Sequence, residues 1–291
     1  MLIRLYIFYV VLFVKNLCEA EVVSSDDAKV VCYFASWATY RSSDGKFDIE
    51  DIDSSLCTHA IYAFAGINNY TLKMEPLDEY NDLPDDYGLN AYGRFVDLKI
   101  DNPDLKVLIA VGGYNQASSI FSRMASKQSR RERFIDSALS LIQEYGFDGI
   151  DLDWEYPANR GGKPEDMENF VLLVQEMKKE FEENSLMVTA AVGMGFDVIE
   201  TAYDIKSLSD SLDSIHLMTY DYHGSWEWKT NSYSPLFSRP EYTGNDTLYN
   251  VVSKNHVFQV KYLFRHKMHS NLSKNKGNSH CFNCISNLFM I

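Results

Sequence analysis

Four carboxylates stand within residues 145–157, YGFDGIDLDWEYP: Asp148, Asp151, Asp153 and Glu155. Their apolar neighbours, Phe147, Ile150, Leu152 and Trp154, give the stretch the composition of a buried strand. Asp is normally depleted from strand interiors, because a buried carboxylate must find a partner or be neutralised. Side chains alternate along a strand, so Asp151, Asp153 and Glu155 share one face, with successive members roughly 7 Å apart. Glu155 closes the row at the C-terminal end, where a substrate could reach it. Two chemistries suit such a row. It could bind a hard cation, since Mg²⁺ and Ca²⁺ take oxygen ligands. Alternatively, neighbouring carboxylates raise one another's pKa and leave one protonated as a general acid near neutral pH. A merely solvated strand end fits poorly with the apolar residues around it.

The elements that would carry this row alternate along the chain. Residues 30–36 (VVCYFAS), 58–66 (THAIYAFAG), 106–113 (KVLIAVGG), 146–154, 186–193 (LMVTAAVG) and 213–221 (DSIHLMTYD) read as strands. Their near-continuous apolar character implies a parallel sheet buried on both faces. Between them, Phe134, Ala138, Leu141, Ile142 and Tyr145 form one helical stripe, and Phe170, Leu173, Val174, Met177 and Phe181 another. Such alternation predicts an α/β fold, either a barrel or a doubly wound sheet. No GxGxxG or P-loop pattern follows the first strand, which counts against nucleotide binding. Polar and aromatic residues gather at the strands' C-terminal ends: Trp37 and Tyr40, Tyr114 and Asn115, Glu155, then Tyr220 and Asp221. Barrels place their chemistry there, so the TIM (β/α)8-type barrel is favoured.

A chain of 291 residues with 46% hydrophobic and 14% aromatic content can bury a substantial core. Its net charge of −14 argues against nucleic acid and anionic membranes as partners and is compatible with a neutral sugar polymer. Near the N-terminus, Arg4 precedes the apolar run 5–14, which ends near Ala20. This is signal-peptide anatomy, too short to span a bilayer. Residues 1–20 are therefore expected to direct secretion to the extracellular space, leaving no membrane association after cleavage. Sequons at Asn69, Asn245 and Asn271 suit a secreted glycoprotein. Cys32 and Cys57 flank the first two strands and are the disulfide candidates of an oxidising compartment. The lone pair Cys281 and Cys284 supplies only half of a tetrahedral zinc site.

The spacing D-x-x-D-x-D-x-E followed by Tyr156 and Pro157 is more specific than paired acids. Here the sequence resembles the family-18 glycoside hydrolases, the chitinases and their relatives. CYFASWATYR, LCTHAIYAFAG, LKVLIAVGGYN, LMVTAAVG and LMTYDYHGSW resemble further landmarks of that family, over about residues 30–251. The resemblance implies a secreted hydrolase of β-1,4-linked N-acetylglucosamine that uses no metal, no cofactor and no protein nucleophile, an exception among retaining glycosidases. Its substrate would be chitin or chitooligosaccharides, and the molecule would be a monomer. Glu155 would protonate the glycosidic oxygen, and the substrate's own 2-acetamido carbonyl would attack the anomeric carbon. Asp153 would orient the acetamido N–H, Asp151 would share or hold its proton, Tyr220 would donate to the acetamido carbonyl, and Asp221 would contact the sugar. Tyr33, Trp37, Phe64, Tyr114, Asn115 and Met218 fall at substrate-binding positions, and Cys32 with Cys57 match a family disulfide.

Two departures from the family pattern stand out. Tyr114 replaces the tryptophan of GGWN, which should weaken stacking on the leaving-group side. After about residue 251 the family would continue into two more strands, an inserted α+β subdomain and a tryptophan that floors the cleavage subsite. This chain instead ends in a basic stretch, residues 252–291, carrying Lys254, Lys261, Arg265, Lys267, Lys274 and Lys276. Val252-Ser253 can be encoded by GTAAGT, a splice-donor sequence, which suits translated intron. The expected domain division is thus a signal peptide (1–20), a partial catalytic barrel (21–251) and a divergent tail (252–291). With about six of eight strands the barrel should be incomplete, its first and sixth strands open to aggregation and its activity impaired. Only residues 256–264 (HVFQVKYLF) read as a strand in the tail, and one strand should not close a gap made for two. The alternatives are a chitinase-like lectin, disfavoured by retention of Glu155, or an inactive fragment.

Overall fold

The computed structural model describes residues 29–253 and 285–290. All six expected strands are present: β1 (Val31–Ala35), β2 (His59–Ile67), β4 (Lys106–Gly112), β5 (Gly149–Asp153), β6 (Met187–Val192) and β7 (Ser214–Leu217). They run parallel in the order β1-β2-β4-β5-β6-β7 and curl into most of a barrel. A short strand missed in the sequence, β3 (Met74–Pro76), returns antiparallel against the end of β2.

The tail departs from expectation. Ile285–Met290 forms β8, pairing parallel with β7 through Ile215↔Ile285 and with β1 through Val31↔Leu288. Both sheet edges that were expected to stay open therefore have a partner over part of their length. β7 and β1 are four and five residues long, and β8 pairs with each over three residues. The strand expected at 256–264, the segment 1–28, Cys281, Cys284 and Asn271 lie outside the described residues.

Helices cover the outside. In chain order they are α1 (Glu79–Asp82), α2 (Ala91–Val96), α3 (Leu98–Asp101), α4 (Ser118–Ala125), α5 (Gln128–Tyr145), α6 (Asp166–Glu183), α7 (Phe196–Ala202) and α8 (Ile205–Ser209). The two predicted stripes lie on α5 and α6 and face the sheet, with Phe134, Ala138, Phe170, Leu173 and Phe181 buried. Gly146 ends α5 in the left-handed conformation (φ 81°), which costs glycine no Cβ clash. The core accordingly has two parts. Ile150, Leu152 and Trp154 join the large layer between sheet and helices, whereas Tyr33, Ile61, Leu108 and Ala110 fill the barrel interior. Cys32 and Cys57 are joined in a disulfide across a separation of 25 residues, tying β1 to the segment before β2.

Candidate active site

Strand parity places the acids inside the barrel. Asp151, Asp153 and Glu155 are 0%, 4% and 7% exposed, while their alternating neighbours pack outward against helices. Trp154, for example, stacks on Phe121 of α4, with ring centroids 5.3 Å apart, and meets Phe170 of α6 edge-on. The end of β4 approaches β5 closely enough that a Cβ on Gly112 would meet the Asp153 carbonyl oxygen at 2.2 Å, and its φ of +116° suits glycine alone.

The three carboxyls are provided for very differently. Asp151 receives the Tyr33 hydroxyl at 2.7 Å and the Thr189 hydroxyl at 2.5 Å, with His216 Nδ1 3.2 Å away. The Tyr33 hydroxyl also lies 2.6 Å from His216 Nδ1. These neighbours come from β1, β6 and β7, so Asp151 is held from across the barrel. Asp153 has no such support: its Oδ1 is buried and meets no hydrogen-bond partner. Burial pushes the Asp153 carboxyl well above the usual carboxylate range, and the charges of Glu155 and Asp151 push the same way. Burial also raises Glu155; a hydrogen bond from Tyr156 and the Arg160 cation oppose this, while Asp221 adds to it. Two hydroxyls donate to Asp151 and none to the buried Asp153 Oδ1, so the cost of burial falls uncompensated on Asp153.

Above the row opens a cleft of about 770 Å³. Trp37, Phe64, Tyr114, Asn115, Asp153, Glu155, Met218, Tyr220 and Asp221 all line it, so the structure brings these expected residues together. Trp37 and Phe64 stack with centroids 6.0 Å apart, and Trp37, Tyr114 and Asp221 are exposed to the cleft. Tyr220 stacks on Tyr233, and burial, followed by the charges of Asp153 and Glu155, raises its hydroxyl's pKa. Burial and a bond to Asp221 push Tyr233 up to about 12. A second cavity of about 270 Å³ shares Trp37, Phe64, Asp153, Met218 and Tyr220 and adds Tyr33. Tyr33, expected at a substrate-binding position, is buried and spends its hydroxyl on Asp151 and His216. Asp151 lines neither cavity and lies beneath both.

Sequence reasoning missed Thr189, His216, Tyr156, Arg160 and Tyr233. Thr189 and His216 were detectable by parity, since His216 stands two residues before Met218 and four before Tyr220 on the inward face of β7. Arg160 was not: it returns along the loop after β5 to donate to the Glu155 carbonyl at 3.1 Å and lies 3.9 Å above the Tyr114 ring. Among the described residues, no group of three or more His, Cys, Asp or Glu side chains is arranged to hold a metal ion. Both Asp151 oxygens already meet protein donors, which counts against the cation reading of the row. No helix among the described residues is long and apolar enough to cross a membrane.

The site is therefore an inward carboxylate row beneath an aromatic cleft, at the strand ends of a curled α/β barrel. The family model for glycosyl hydrolases family 18 matches residues 29–279, and the chain belongs to that family. It is 45% identical over 210 residues to the probable chitinase 2 of Drosophila melanogaster, covering 72% of this chain and 43% of that protein. Among solved structures, the Group IV chitinase of Ostrinia furnacalis superposes with a TM-score of 0.74 at 40% identity, covering 80% of this chain and 63% of that one. Human YKL-39, described as a pseudo-chitinase with retained chitooligosaccharide binding, gives 0.71 at 32% identity, with 80% and 63% covered. The chain thus spans less than half the length of that first relative. Its relatives include both chitinases and a binding protein.

Proposed function

We propose that the protein is a secreted chitinase-type hydrolase that cleaves β-1,4-linked N-acetylglucosamine by substrate-assisted, retaining catalysis. The observation that carries this reading is the buried, unpartnered Asp153 Oδ1 beside a Glu155 whose pKa is raised. A buried acceptor without a donor is costly unless a ligand supplies one, and an acetamido N–H is such a donor. Glu155, kept protonated by burial, donates to the glycosidic oxygen as the acetamido carbonyl attacks the anomeric carbon with inversion. The anomeric C–O bond breaks and an oxazolinium ion forms. Asp153 accepts the acetamido N–H and balances the charge developing on the ring. Tyr220 donates to the acetamido oxygen, and Asp221 holds the sugar. Glu155, now a carboxylate, takes a proton from the water that opens the ring, which completes retention. Trp37, Phe64, Tyr114 and Met218 offer apolar faces to the sugar rings, and Asn115 a polar contact. When substrate arrives, Asp153 passes its proton to Asp151, which the Tyr33 and Thr189 hydroxyls hold beneath it.

The cystine and the N-terminal apolar run support extracellular work. Retention of Glu155 supports hydrolysis over binding alone. Incubation with a chitohexaose, followed by mass spectrometry of the products and ¹H NMR of their anomeric protons, tests the reading. Shorter N-acetylated oligomers, formed with retention at the new reducing end, are expected. Tight binding without any cleavage would make the chain a lectin.

A further inference from the structure

Glu155 stands between two residues that a single hydroxyl holds. Ser118, the first residue of α4 and 1% exposed, accepts a hydrogen bond from Trp154 Nε1 at 2.8 Å. The same oxygen donates to the Tyr156 carbonyl at 2.8 Å. A serine hydroxyl has one donor and two acceptor lone pairs, so both bonds form at once. We propose that Ser118 is a positioning residue for Glu155: it staples the side chain before the acid to the backbone after it. The proposal rests on the reading of Glu155 as the acid.

The staple is anchored well. Phe121, one turn along α4, stacks on the Trp154 ring. Ser122 donates to Asp166 Oδ1 at 2.7 Å, and Asp166 Oδ2 accepts from Lys163 N at 2.6 Å and Ala158 N at 3.3 Å. One helix therefore fixes both the end of β5 and the loop that leaves it. Arg160 adds a tie from the solvent side, donating to the carbonyls of Glu155 at 3.1 Å and Tyr114 at 2.9 Å. Together these bonds leave the segment 154–156 few alternative positions. Without the Ser118 oxygen the indole N–H of Trp154, 1% exposed, has no partner in an apolar layer. The segment must then shift to relieve it, and Glu155 moves with its neighbours. The acid works only within hydrogen-bond reach of the glycosidic oxygen, so a displacement well short of unfolding lowers the chemical step while leaving the aromatic cleft able to bind.

Steady-state kinetics of the full chain on a chitooligosaccharide, alongside ¹³C NMR of the Glu155 carboxyl, test this. Ser118→Ala should lower kcat about tenfold with KM within about twofold, and broaden or split the Glu155 carboxyl resonance. Ser118→Thr, which keeps the hydroxyl, should restore both. If Ser118→Ala does not fold, Ser118→Cys keeps the volume with a much weaker donor and should show the same split of kcat from KM. Wild-type kcat with an unaltered Glu155 resonance in the Ala or Cys variant would overturn the proposal, as would an equal loss in Ser118→Thr. If the wild type binds without cleaving, the hydrolase reading fails. The resonance, which needs no turnover, still decides the role of Ser118.

Discussion

The two sides of the barrel are built to different standards. From β1 to β6 each strand ends against a covered layer: Phe95, Phe121, Phe134, Phe170 and Phe181 are at most 1% exposed. After β7 the chain runs through residues 222–250 with one 3₁₀ turn and leaves large apolar groups in solvent, among them Trp228 at 92% and Phe237 at 64%. The acid row stands at the centre of the well-built side. Its strand pairs with β4 and β6 on both flanks, and its staples come from α4 and the loop after β5. The weaker side contributes His216 below the row and, in the lining of the cleft, Met218, Tyr220, Asp221, Tyr222, Tyr233 and Tyr249. The chemistry of the acids and the integrity of the barrel are therefore separable, and can be broken separately.

The largest effect is expected at the row itself. Glu155→Gln should cut hydrolysis by at least about a thousandfold while oligosaccharide binding and melting temperature stay close to wild type, because the amide keeps the shape and cannot deliver a proton. Substantial turnover on an unactivated substrate would remove Glu155 from its role. The comparison between the sides is sharpened by paired truncations. Phe181→Ala should cost about 3–5 kcal/mol in urea unfolding, and Phe237→Ala no more than about 0.5 kcal/mol. Similar losses would show that the region after β7 is packed as firmly as the rest.

The closure by β8 is tested with Asn287→Pro, which removes a backbone donor from a strand paired on both sides. A loss of about 3 kcal/mol and a rise in aggregation on heating are expected, and an unchanged transition would mean that the edges do not depend on this strand. Opening the Cys32–Cys57 bridge with Cys32→Ser and Cys57→Ser together should cost roughly 3 kcal/mol through the freed loop, with kcat little changed. A loss of activity at temperatures where the variant is folded would tie the bridge to the site instead.

The smallest effect has a definite sign. Asp153 has a raised pKa in the folded state, so the folded protein binds more protons than the unfolded chain above pH 4. Stability then falls as pH rises from the unfolded value toward the folded one. Asp153→Asn removes this loss and should raise the melting temperature at pH 7, by about 2–4 °C for each kcal/mol recovered, while activity drops sharply. Because Glu155 shares the raised pKa, wild-type hydrolysis should decline on the alkaline side as that group deprotonates. A variant no more stable at pH 7 than at pH 4, relative to wild type, would show that Asp153 is not held protonated.

Local patterns alone placed six strands, two helical stripes and the shared face of the acid row, because each is a relation among residues only a few positions apart. The row's alternation is dictated by the backbone's two-residue repeat, so Asp151, Asp153 and Glu155 were on one face whatever the barrel's closure. The departure from the family pattern at residue 251 was equally visible, as a change of charge and composition. Tertiary structure alone decided how the three acids differ. Tyr33, Thr189 and His216 lie 118, 38 and 65 residues from Asp151 in the chain, and no local pattern states that they meet there or that none of them reaches Asp153. The same holds for β8. A hexapeptide of ordinary composition becomes a strand because β1 and β7 present unpaired edges on either side of it, and pairing across a closed sheet is set by the whole ring of strands.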